Sequence, residues 1–175
     1  MNRLSYLVCG ALGAFGLIDA SSYLYAAEAA PEHSDKAAIE ALEQRFAAAL
    51  NAKDVDTIMK VYAPGPGLFV FDVSPPRQHV GWDDYKKDWQ DFFANLPGAI
   101  KFSITDLDVT TVGPVAYSHS IQSLQFTRKD GSKAELVVRV TDVYRKMHGQ
   151  WLIVQEHVSI PVDLDTGKPD MLSKP

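Results

Sequence analysis

Apolar residues recur along this chain in two periods, helical in the first half and alternating in the second. Ile39, Leu42, Phe46 and Leu50 fall three and four residues apart, which predicts a helix with Ser34 or Asp35 as N-cap and Glu40, Glu43 and Arg45 on its other faces. Asn51 to Asp54 interrupts it, and Val55, Ile58, Met59 and Tyr62 predict a second, short helix. Pro64, Gly65, Pro66 and Gly67 stop helix formation, Leu68 to Val73 reads as a short strand, and Ser74 to Arg77 as a turn. A third helix is expected from Trp82 to Leu96, with Tyr85, Trp89, Phe92, Phe93 and Leu96 inward, closed by Pro97-Gly98. From Ile100 to Pro161 the pattern alternates, and turns at Gly113-Pro114, Asp130-Gly131 and His148-Gly149 divide it into four long strands. Three helices followed by a curved antiparallel meander form an α+β layout in which the helices close one side of the sheet over a conical cavity.

Two acids break the alternation. Asp142 follows Val138 and Val140 and precedes Tyr144, and Glu156 stands in the run Leu152, Val154, Val158, Ile160. Alternation puts each carboxylate on an apolar face, where an unpartnered charge costs several kcal/mol or takes up a proton. A wet strand end, a backbone N–H or an arginine would remove the anomaly; a pocket would make both acids chemical.

The remaining sequence sets limits. Arg3 followed by an apolar run from Leu4 to Ile18, then small residues around Ala20 to Ser22 and Ala26 to Ala29, has the layout of a secretory signal peptide over residues 1–29. The expected domain then spans residues 30–162, with a surface tail over 163–175, and the expected location is the periplasm or outside the cell. The run is shorter than the roughly 20 residues that span a bilayer, so no stable membrane anchor is expected. The single cysteine, Cys9, lies in this segment, and Val8 before it does not fit a lipoprotein signal. A net charge of -5 argues against a nucleic-acid partner. No metal-ligand spacing, phosphate loop or nucleophile elbow is present, so neither metal nor other cofactor is expected.

The stretches Phe46 to Asp54, Ile58 to Ala63, Arg139 to Lys146 and Gly149 to Pro161 resemble the SnoaL-like, ketosteroid-isomerase-like branch of the nuclear transport factor 2 superfamily. The last is most similar to the subfamily related to the association domain of calmodulin-dependent kinase. The resemblance runs from about Ala37 to Val162 and implies the conical fold. It implies Asp72 as the proton-shuttling aspartate and Asp142 as the protonated, oxyanion-donating one. The family's oxyanion tyrosine falls on Phe46, a departure that counts against true ketosteroid isomerisation. Trp89 matches a pocket-wall aromatic, and Glu156 lies close to where polyketide cyclases of the family place an acid.

Strand alternation adds Tyr117 and His119 as inward-facing, and Val140 and Val158 as pocket walls beside Phe46 and Trp89. Arg139 and Arg145 are expected outward, and His33, His79 and His148 in loops. The register of the last hairpin decides the site: a two-residue loop sets Asp142 opposite Gln155 and makes His157 its partner, whereas a three-residue loop pairs Asp142 with Glu156. The resemblance favours Glu156 inward and His157 outward. Two functions fit. One is a cofactor-independent isomerase, cyclase, lyase or hydrolase for a small apolar or aromatic molecule, using Asp72 or Glu156 as base and Asp142, Tyr117 or His119 as donor. The other is a non-catalytic binding or assembly module, a homodimer or larger ring that captures a small ligand without converting it and self-associates through Trp151, His157 and the outer sheet face.

Overall fold

The computed structural model describes residues 20–173, with side chains from Ser34 onward. The expected leader lies outside the described residues as far as residue 19, Cys9 included. Among the described residues no helix is long and apolar enough to cross a membrane.

Helix α1 runs Ala20–Ala52, longer than the spacing predicts. Asp35 is therefore not a cap at its start; it lies within the helix and takes hydrogen bonds from Lys146 Nζ at 2.6 Å and Trp151 Nε1 at 3.1 Å. Lys53 turns the chain with φ 56°, and Asp54 caps α2 (Val55–Ile58) by accepting from Thr57 N. The helix tightens into a single turn over Met59–Val61. Helix α3 spans Trp82–Ala94 and starts from Gly81, whose φ of 94° suits a residue without a Cβ. Trp82 Nε1 donates to Met59 O at 2.9 Å and ties α3 to the tightened turn.

The sheet has six strands in the order β2-β1-β6-β5-β4-β3. Their ranges are β1 Phe69–Phe71, β2 His79–Val80, β3 Lys101–Val112, β4 Val115–Thr127, β5 Lys133–Met147 and β6 Gln150–Ser159. The four long strands form the expected antiparallel meander. The sheet is nonetheless mixed, because β1 runs parallel to β6. β2 was not foreseen: two residues cannot show a period. Bulges between Thr105 and Asp108 and beside Val143/Tyr144 bend the long strands.

All three helices lie on the concave face, and the core between the layers is aromatic. Phe46 meets Tyr62, Trp89 and Phe102 edge to face at centroid distances of 6.3, 6.0 and 5.7 Å. Asn51 fixes α1 to β3 by accepting from Phe102 N at 2.8 Å and donating to Phe102 O at 3.0 Å. The tail is exposed, as its lack of period implies, yet tied down: Val137 N donates to Met171 O at 2.8 Å.

Candidate functional site

The last hairpin has a two-residue loop, His148-Gly149, with φ 50° and 82° as a tight turn of that length requires. That loop length alone would set Asp142 against Gln155. Instead Tyr144 pairs with Ile153 and Val143 with Gln155, so Val154 is an extra residue on β6 and the ladder resumes with Asp142 opposite Glu156. The expected pairing is present, produced by a bulge rather than by a longer loop. The bulge also changes Glu156's neighbours. Trp151, Ile153 and Glu156 are the buried positions of β6, while Leu152 and Val154 are not among them.

On β5 the inward run is Val138, Val140, Asp142 and Tyr144, as its alternation predicts. Together these strands and α1 bury three carboxyl groups, with Glu43 2 %, Asp142 2 % and Glu156 4 % exposed. Glu156 accepts from Tyr62 OH through Oε2 at 2.8 Å and from Tyr85 OH through Oε1 at 2.7 Å. Tyr144 donates to Glu43 Oε1 at 2.7 Å, and its oxygen lies 2.8 Å from Ser118 Oγ and 3.4 Å from Asp142 Oδ2. The one phenolic proton goes to the short Glu43 contact, leaving Ser118 as donor to Tyr144.

Burial raises the proton affinity of all three acids. It holds Glu43 and Glu156 at about 7, against a hydrogen bond from Tyr144 and two from Tyr85 and Tyr62 respectively. Asp142 is pushed well above the usual carboxylate range by burial and then by the neighbouring charges of Glu156 and Glu43. Its Oδ1 is buried without a hydrogen-bond partner among the described residues. A proton on Asp142 resolves that vacancy, because the acid then becomes a donor toward Glu156. Burial, followed by the charge of Glu156, also pushes the phenols of Tyr62 and Tyr85 well above their ordinary value, so both remain neutral donors.

Glu156 reaches a cavity of about 210 Å³ between the helices and the sheet. Phe46, Tyr85, Trp89, Phe92 and Phe102 supply its aromatic wall, and Leu50, Leu124, Leu136, Val138 and Val158 its aliphatic one. Two further acids line it. Asp72, just after β1, is half-buried and accepts from Ser74 N at 3.2 Å. Asp88, on α3, has its proton affinity raised by burial despite the nearby His79. His79 stands behind Asp88, its Nε2 3.8 Å from Asp88 Oδ1 and its Nδ1 3.2 Å from Asp84 Oδ2.

Asp72, Glu156, Phe46, Trp89 and Val158 therefore converge on one cavity, with Asp142 behind Glu156. Val140 is buried but does not line the cavity; Val138 does. Tyr117 and His119 do not face inward: the buried positions of β4 are Ala116, Ser118, Ser120 and Gln122, and Tyr117 is 49 % exposed. The apolar character of Val115, Tyr117 and Ile121 points to the wrong face because the concave side of β4 carries small or polar residues, with Ser118 set against the buried Tyr144 hydroxyl. His157 lies on the outer face, its ring 5.4 Å from that of Phe71. Trp151 is buried against Asp35 and cannot serve as an outer-face contact. His79 is not a loop residue but a buried one in β2.

Glu43, Tyr62, Tyr85, Asp88 and His79 were missed as site residues. Glu43 carried a signal, since it lies four residues after Ile39 and three before Phe46 and so falls within the apolar stripe. Tyr62 and Tyr85 read as core, and nothing local reveals that their hydroxyls meet on Glu156. Among the described residues no group of three His, Cys, Asp or Glu side chains is placed to hold a metal ion.

Known structures share this architecture. An NTF2-like protein of unknown function from Pseudomonas putida is 26% identical, with a TM-score of 0.74 over 82% of this chain and 98% of its own. A ketosteroid isomerase-like protein from Erwinia carotovora is 20% identical, with a TM-score of 0.61 over 71% of this chain and 95% of its own. A protein from Xanthomonas campestris likened to the calcium/calmodulin-dependent protein kinase II association domain is also 20% identical, with a TM-score of 0.56 over 90% and 96%. The latter two identities establish a shared fold only. No functionally curated protein matches the chain. The model of the SnoaL-like domain matches residues 39–163, which include all three helices' core faces and every strand, and the chain thus belongs to the SnoaL-like domain family.

Proposed function

We propose that this domain binds a small, largely apolar molecule in the cavity and moves a proton on it through Glu156, as a cofactor-independent isomerase, cyclase or lyase. One observation carries the reading: a carboxyl held near 7 is on the wall of an apolar cavity with a phenol on each oxygen. Near neutral pH such a group is populated as both acid and base, the condition for efficient proton transfer. The cavity exceeds the roughly 150 Å³ that accommodates benzene, so its ligand is about the size of one substituted ring.

The chain's own residues divide the work. Glu156 in its ionised form accepts a proton from a ligand carbon or oxygen. Tyr62 and Tyr85 orient its oxygens and keep the carboxylate accessible despite burial. As Glu156 takes the proton its negative charge passes to the ligand, and Tyr85, itself on the cavity wall, is released to donate to the new oxyanion. That role replaces the donor missing at Phe46. Asp142 holds its proton behind Glu156 and acts on the ligand only through it, as a positioning residue. Glu156, now carrying the proton, returns it at a second position of the ligand and is regenerated as the carboxylate.

The test is deuterium incorporation from heavy water into a panel of one-ring enones and hydroxyketones, for the natural domain and for Glu156→Gln. Exchange lost by a factor of about 100 or more in the variant, with ligand still bound, is expected. Exchange unaffected by Glu156→Gln would reject Glu156 as the base. A second reading, capture without conversion, is favoured by Phe46 and by the tyrosines already occupying both Glu156 oxygens; binding with no exchange in any member would select it. We also propose export, on the apolar run from Leu4 to Ile18; mass spectrometry showing the leader still attached on protein from the cell envelope would oppose it.

A further inference from the structure

We propose that the ligand is a cation, a small organic ammonium with an aromatic or apolar body of about one ring. This rests on the reading that the cavity is the binding site, and it adds the ligand's charge.

Among the described residues the charged side chains on the cavity wall are Asp72, Asp88 and Glu156, all acids, with no lysine, arginine or histidine beside them. They reach it from three separate elements: the segment after β1, helix α3 and strand β6. Asp72 lies close enough for its charge to oppose ionisation of both Asp88 and Glu156. Behind Glu156, Asp142 holds its proton and adds no charge, and neither Glu156 nor Glu43 is paired with a cationic side chain in the ion pairs of the described residues. His79 approaches Asp88 from behind the wall, but Asp84 holds its other nitrogen, so acids still outnumber it. A carboxylate or phosphate ligand would enter this field against like charge in an apolar surrounding, where repulsion is strongest.

The aromatic part of the wall fits an organic cation. Phe46, Tyr85, Trp89, Phe92 and Phe102 present aromatic rings around the acids, the surroundings that hold an organic ammonium through ring faces. A bare metal ion fits less well, since no three acidic or imidazole groups among the described residues are arranged to ligate one. An ammonium bound between Asp72 and Asp88 leaves Glu156 free to move a proton on the ligand's body. The two roles then fall on different carboxylates.

The experiment is calorimetric titration of the purified protein with three probes of one shape and different charge: phenethylamine, phenethyl alcohol and hydrocinnamate. The amine is expected to bind at least about tenfold tighter than the alcohol, and hydrocinnamate weakest of the three. Asp72→Asn combined with Asp88→Asn is expected to bring the amine down to the alcohol's affinity. The melting curve of the double variant shows whether it is folded, and each single variant, expected to lose part of the preference, serves if it is not. Alcohol binding as tightly as the amine, or hydrocinnamate binding tightest, overturns the cationic ligand while leaving the cavity as a binding site. Failure of all three to bind at millimolar concentration overturns both.

Discussion

The two faces of the sheet carry the same kinds of side chain with opposite consequences. On the concave face Asp142, Glu156 and Tyr144 are buried, and hydrogen bonds join Glu156 to Tyr62 and Tyr85 and Tyr144 to Glu43. On the convex face Thr141, His157 and Arg145, each next in its strand to one of those residues, and Tyr117 on β4, opposite Val143, are exposed. A one-residue step along a strand separates a carboxyl whose proton affinity is raised by burial from a side chain exposed to water. The difference teaches that chemistry in this fold is made by which face a residue takes, and that the Val154 bulge, which sets the face of Glu156, matters as much as the acid itself.

Truncation should separate the faces most strongly. Tyr144→Ala removes a fully buried ring and leaves Glu43 without its donor, at an expected cost of about 3–5 kcal/mol in urea unfolding. Tyr117→Ala, on the convex side, should cost under about 1 kcal/mol; equal losses would dissolve the contrast.

The next effect is on pH dependence. Glu43 and Glu156 are raised from 4.5 when unfolded to about 7 when folded, so their contribution to stability is fully present below 4.5 and is lost as pH rises through about 7. Asp142 acts in the same direction. Stability should therefore fall between about pH 5 and pH 8, by on the order of 3 kcal/mol for each ionising group. Glu156→Gln or Asp142→Asn should flatten the profile, and His157→Ala should leave its slope unchanged. A natural protein with constant stability across that range would contradict the buried-acid arrangement.

Smaller still is the effect of the phenols. Tyr85→Phe removes the 2.7 Å hydrogen bond to Glu156 and should cost about 1–3 kcal/mol above the titration, while moving the Glu156 midpoint upward. Tyr62→Phe should do the same through the other oxygen. The smallest effect is expected for His119→Ala, within about 0.5 kcal/mol in stability and without change in ligand affinity; a larger loss would assign the convex face a role of its own.

The helices and long strands were legible because their apolar residues repeat with clear periods between strong turn residues. Asp142 and Glu156 were legible because each interrupts such a pattern. The reason they pair was not, since no local residue preference marks Val154 as an extra residue of β6. β4 misled because its outward side is the more apolar one, its buried positions being Ala116, Ser118, Ser120 and Gln122. Glu43 and Tyr144 stand 101 residues apart, and no local pattern joins them. Asp88 and His79 belong to a third helix and a two-residue strand whose approach to the cavity is fixed only by tertiary packing.

The most direct test is a carbon-detected NMR titration of the glutamate carboxyls, with Glu156 assigned by its absence from Glu156→Gln. A midpoint near 7 that moves upward in Tyr85→Phe is expected for a carboxyl buried on the cavity wall and held by two phenols. A Glu156 midpoint near the ordinary 4.5, unmoved by the tyrosine replacement, would contradict the assignment of this residue as the cavity's acid and base.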